Sequence, residues 1–230
     1  MYYNTDNEKP GGKKKVKKTL YSLMLNDEVV REVDALAHRL GTNRSNLINE
    51  ILAEYVNYTT PEKRINDVLS AIQELMLPSS ELVPFFAPHT YSMSLKSSLE
   101  YKYRPTIKYE VELYKGYEDD IGEISVLFRT QSPALIQSMT EFFRLWTQIE
   151  NAHLAPRLDS KVRYELYDGR YVRSISRPEV DCTSDELANA IAEYIRLFDR
   201  LMKGYLSGRY DVRAVEAEYC ACMGRSGVLF

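Results

Sequence analysis

Five lysines crowd into six positions near the front of the chain: Lys13, Lys14, Lys15, Lys17 and Lys18. The chemistry open to such an arm is phosphate contact. It releases condensed counterions and therefore weakens steeply with salt. Directly after it, residues 19–25 alternate. Leu20, Ser22 and Met24 fall on one face and Tyr21, Leu23 and Leu25 on the other. Lys18 extends the first face. Lys18 and Ser22 can hydrogen-bond to base edges, whereas Leu20 and Met24 offer only apolar contact with thymine methyl groups. Further along, Asn43, Arg44 and Ser45 stand where a second helix begins, and its first backbone amides suit an anion.

Catalytic chemistry has no comparable foothold. The sequence contains no glycine-rich phosphate loop, no Cys-x-x-Cys pair and no His-Glu-x-x-His helix. Cys220 and Cys222 form a lone Cys-x-Cys, and Cys182 stands apart. With only His38, His89 and His153 to add, a metal site would need distant ligands. No enzyme activity, cofactor or metal is expected. The 18 tyrosines suit half-buried strands, with the ring packed and the hydroxyl wet. They could also line an aromatic pocket or an assembly surface.

The elements that must position the basic arm are one strand and two helices. Asn26 supplies an N-cap side chain, and Asp27 and Glu28 put negative charge at the helix's positive end. Val29, Val33, Leu36 and Leu40 keep helical spacing, and Gly41 ends the run. Thr42 or Asn43 caps the next helix, whose apolar residues are Leu47, Ile48, Ile51, Leu52 and Tyr55. One strand and two short helices bury too little apolar surface to stand alone, and a single strand leaves both edges unpaired. Two copies solve both problems. Their strands pair antiparallel, and a shared core gathers Tyr21, Leu23, Leu25, Val33, Leu36, Leu47, Ile48 and Ile51.

This order of strand, capped helix, Gly-Thr-Asn-Arg-Ser turn and second helix resembles the ribbon-helix-helix family. That family includes the methionine and Arc repressors and the small plasmid copy-number repressors. The resemblance covers residues 13–57. It implies a homodimer that lays a two-stranded ribbon into the major groove of double-stranded DNA. By that carry-over Lys18, Leu20, Ser22 and Met24 face the bases. Lys13–Lys15, Lys17 and the Asn43-Arg44-Ser45 turn face phosphate. Family members usually carry long polar side chains on the outer face of the ribbon, and Leu20 and Met24 depart from that.

Composition agrees with a localised positive footprint. Formal net charge is −3, yet residues 9–25 hold six lysines and no acid. Three cysteines without regular spacing suit a reducing, cytoplasmic setting. No apolar run approaches the ~20 residues that span a membrane. The opening MYYNTDNEKPGGKKK has no apolar signal core.

The remaining chain reads as an α+β domain. Residues 1–12 are expected to be a disordered arm, 13–57 the DNA-binding and dimerisation module, and 58–98 a linker helix and loop. The helix starts at Thr60-Pro61-Glu62 and carries Ile65, Val68, Ile72 and Leu75. It could pair with its mate or pack on the domain that follows. Residues 99–206 read as a ββα unit used twice. A shift of 52 residues lays Leu135 on Leu187, Phe142 on Tyr194, Phe143 on Ile195 and Trp146 on Phe198. The expected result is a four-stranded antiparallel sheet with two helices on one face, serving assembly into higher oligomers or sensing a signal. Residues 207–230 form a tail that could add a strand or short helix.

The function expected from these residues is sequence-specific transcriptional regulation, as a repressor. Two alternatives stay open: an accessory factor at a plasmid transfer or partition site, and an antitoxin-like interaction protein whose ribbon only dimerises.

Overall fold

Side-chain caps set the helix starts, in a computed structural model that describes residues 20–86, 91–99, 104–116, 119–167, 169–223, 228 and 230. The chain divides into two units between Lys63 and Arg64. The first holds α1 (Asp27–Arg39) and α2 (Arg44–Tyr55). Asn26 Oδ1 accepts from the Glu28 amide at 2.8 Å, and Asn43 Oδ1 accepts from the Asn46 amide at 3.0 Å. Asn43 is thus the cap, not Thr42. Both helices end in the same device. Gly41 (φ 63°) donates to the His38 carbonyl and Thr42 to that of Ala37. Asn57 (φ 55°) donates to Glu54 and Tyr58 to Ala53. These are Schellman caps, and they need the left-handed conformation that glycine and asparagine tolerate.

α3 (Pro61–Met76) opens on Pro61, and the Lys63 amide donates to Thr60 Oγ1. From Arg64 onward the second unit is a six-stranded antiparallel sheet packed with helices. The strands are β1 (Val83–Phe86), β2 (Ser92–Ser98), β3 (Thr106–Leu113), β4 (Asp120–Phe128), β5 (Tyr164–Tyr167) and β6 (Arg170–Ser176), in the order β1-β2-β3-β4-β6-β5. The helices are α4 (Pro133–His153), α5 (Ser184–Leu206) and α6 (Val212–Met223). The class is α+β.

The two ββα units are present, but the sheet is wider than the expected four strands. Residues 58–98, expected as linker helix and loop, give that helix as α3 and the strands β1 and β2 where a loop was expected. Ile65, Val68, Leu69, Ile72 and Met76 of α3 are all buried in the core of the second unit. In β2, Met93 and Leu95 are buried while Lys96 and Ser98 are exposed. That is strand alternation. Serine, whose β propensity is weak, fills the solvent side and hides the pattern. The tail supplies α6 and places Phe230 in the core. The 1–12 arm, Tyr101, Tyr103, His89 and Asp168 lie outside the described residues.

Register aligns the buried face in rows across β2, β3, β4 and β6. Met93, Val111, Ile124 and Arg173 form one row and Leu95, Tyr109, Val126 and Tyr171 the next, extended at the β5 edge by half-buried Tyr164 and exposed Leu166. Phe142, Phe143, Trp146 and Phe198 pack among themselves above these rows, with ring centroids 4.8–6.3 Å apart. At Gly122 an added Cβ would meet the Glu112 carbonyl oxygen at 2.3 Å, so only glycine fits that pairing.

Polar groups are buried in pairs. Tyr109 donates to Asp199 at 2.8 Å, and Lys203 lies 2.7 Å from the same carboxylate. Arg173 Nε donates to Glu150 Oε2 at 3.3 Å, with both side chains at most 1 % exposed. Burial pushes the Glu150 carboxyl up, and Arg173 pulls it back in part. The Glu150 carboxylate in turn favours the charged form of Arg173.

Candidate nucleic-acid interface

The candidate interface rests on residues 20–58 of the first unit. In the single chain, residues 20–26 form no strand. A ribbon strand needs a second strand to accept its backbone hydrogen bonds, and a lone chain provides none. Exposure nevertheless differs by parity. Tyr21, Leu23 and Leu25 fall from 82 to 59 to 44 % exposed as they approach α1, whereas Leu20 and Met24 are fully exposed at 96 and 102 %. Ser22 is exposed as well. All of these side chains remain exposed, the Tyr21, Leu23 and Leu25 set less so than Leu20 and Met24. Lys13, Lys14, Lys15, Lys17 and Lys18 lie outside the described residues.

The helix residues expected in a shared core differ in burial. Leu47 is buried, Val33, Leu36 and Ile48 are half-buried, and Ile51 is exposed. The other inward residues are Ala37 and Ala53. Against these three buried apolar side chains, twelve large apolar ones between Leu20 and Tyr58 are exposed.

At the α1–α2 turn, two of the three residues expected to contact phosphate, Asn43 and Arg44, have side chains engaged within the protein. Asn43 is committed to its cap, which fixes the helix start. By helix geometry the amides of Arg44 and Ser45 have no acceptor within α2, and the helix dipole adds partial positive charge there. The Arg44 side chain, however, forms a two-point pair with Asp34 of α1. Its Nε donates to Oδ1 at 2.6 Å, and Nη2 donates to Oδ2. Hydrogen bonding to Arg44 holds the Asp34 carboxyl below its usual range, and Asp34 raises Arg44 in turn. Both side chains stay about half exposed, so a phosphate can compete for the guanidinium. Sequence reading missed Asp34. No local signal marks it, because the contact joins residues ten apart on two helices.

Among the described residues no group of His, Cys, Asp or Glu could hold a metal ion, and no helix is long and apolar enough to cross a membrane. His38 is exposed on α1. His153 pairs with Glu216 at 2.7 Å. No family model, no curated protein and no solved structure matches this chain.

Proposed function

We propose that the chain is a sequence-specific DNA-binding regulator, a repressor, that works as a dimer or higher oligomer with the ribbon-helix-helix arrangement. The observation that carries this reading is the imbalance in the first unit. Two well-capped helices hold three buried apolar side chains, while a stretch of alternating residues offers its less exposed face and no partner. A second copy would supply both the missing strand and the missing core. The paired strands would then present Lys18, Leu20, Ser22 and Met24 to the major groove. The lysine arm and the α2 amides would grip the flanking phosphates. Occupying a promoter in this way blocks transcription without catalysis.

Selection of bound duplexes from random DNA at two salt concentrations, with sedimentation of the free protein, tests the reading. The expected result is a dimer that enriches one short palindrome at both salts. Enrichment of long repeated arrays would move the function to an accessory role at a transfer or partition site. A monomer, or binding without enrichment that vanishes at the higher salt, refutes the proposal.

A further inference from the structure

A cavity of about 420 Å³ opens among α4, α5 and α6 of the second unit. That volume lies in the range of small-molecule sites. Leu154, Ala190, Leu197, Met223, Val228 and Phe230 supply its apolar wall. Five charged residues also line it: Arg173, Arg196, Arg200, Glu150 and Glu193. The two buried ones are closed on the protein itself. Arg173 Nε donates to Glu150 at 3.3 Å, Nη1 to the Ser174 carbonyl at 3.0 Å and Nη2 to the Phe230 carbonyl at 2.5 Å. The guanidinium lies 4.8 Å from the Tyr194 ring centroid and 4.9 Å from that of Phe230. Glu150 lies beside the Tyr164 and Tyr194 hydroxyls as well. The other three charged residues are exposed. Arg200 Nη1 donates to Glu218 at 2.9 Å, Arg196 Nη2 donates to the Leu75 carbonyl, and Glu193 stands one turn before Arg196 on α5. With Glu218 counted, the cations Arg173, Arg196 and Arg200 are matched by the anions Glu150, Glu193 and Glu218. The Tyr219 hydroxyl has no partner, but it and Glu150 Oε1 are buried beyond the reach of an occupant.

We infer that this cavity binds a neutral, largely apolar ring compound, which makes the second unit a ligand-binding domain. The argument is one of desolvation. An ion that enters loses its water and meets no unpaired counter-charge, because each buried charge already has its partner. At the exposed residues an anion meets Glu193 beside Arg196, and a cation meets both Arg196 and Arg200. A neutral ring gives up little hydration and gains contact with the aliphatic side chains and with the rings of Tyr194 and Phe230. This inference does not depend on the DNA reading, since all its residues lie in the second unit.

The test uses the full chain and three fluorescent probes that share one ring system: neutral N-phenyl-1-naphthylamine, its 8-sulfonate, and a trimethylammonium analogue. Quenching of Trp146, whose ring centroid lies 5.2 Å from that of Tyr219, gives a second readout. The neutral probe should bind roughly tenfold or more tightly than either charged one. Ala190→Phe fills the cavity from its half-buried wall and should weaken the neutral probe by roughly tenfold or more. If that variant loses native circular dichroism, Ala190→Leu carries the same expectation with less added volume. Absence of neutral-probe binding overturns the inference. So does a charged probe that binds as tightly, or binding that survives in a folded Ala190 variant, which would place the probe on the exposed apolar residues of the first unit.

Discussion

Replacing either member of the Glu150–Arg173 pair should destabilise the second unit, but with different pH behaviour. The two side chains are 0 and 1 % exposed, so neither has water as a fallback. In Glu150→Gln the shape is kept and the counter-charge is lost. Arg173 cannot shed its proton, and only two carbonyls and two rings remain to hold it. Breaking a buried pair this way costs about 3–5 kcal/mol. The variant's own stability should take no pH dependence from the pair between about pH 5 and 9, because no remaining member of it titrates there. In Arg173→Met the residue left behind is an acid that can neutralise itself. Burial already pushes Glu150 up, and without Arg173 it rises further. Such a raised folded-state value means that the folded chain keeps a proton that the unfolded chain gives up. Stability is therefore fully retained at acid pH. It falls as pH rises above the ordinary glutamate value, by up to about 1.4 kcal/mol per pH unit, until the folded-state carboxyl ionises as well. Urea unfolding at about pH 5, 7 and 9 decides the matter. Trp146, the only tryptophan, provides the signal. Equal losses in the two variants at every pH would refute the reasoning, as would a Glu150→Gln cost below about 1 kcal/mol.

Three other outcomes are expected. Lys17→Ala with Lys18→Ala removes two cations per subunit, so the dimer's salt slope for duplex binding should fall by roughly 4, read from binding isotherms across salt concentrations. Asp34→Ala releases Arg44 from its two-point pair and should tighten duplex binding roughly two- to fivefold at low salt, measured by fluorescence anisotropy. Gly122→Ala drives a Cβ into the Glu112 carbonyl oxygen and should cost about 1–3 kcal/mol or more in urea unfolding of the second unit, with no change in duplex affinity at saturating folded protein.

What the sequence made legible followed the strength of local signals. The caps at Asn26 and Thr60-Pro61 mark helices that begin where expected. The repeated ββα pattern carried the middle of the sheet because Ile107, Tyr109, Val111 and Leu113 alternate with polar residues. β1 escaped because it is four residues long and contains Pro84, and β2 because serine blurs its outer face. The Glu150–Arg173 pair escaped for a different reason. Both residues sit at inward positions, Glu150 four after Trp146 and Arg173 two after Tyr171. Charge argues for the surface, and only the partner across the core reverses that preference. In the candidate interface, helix ends were readable from local chemistry. The Arg44–Asp34 contact was not, since it joins residues ten apart on two helices.

The scarcity of inward side chains in α1 and α2 also sets how the protein would respond to its own abundance. Under the dimer proposal, folding of the front unit and its pairing are one equilibrium, and its midpoint rises with protein concentration. Operator occupancy would then climb more steeply than the number of chains, roughly as its square while single chains predominate. Dilution, as after cell division or a pause in synthesis, would release the DNA sooner than affinity for the site alone predicts.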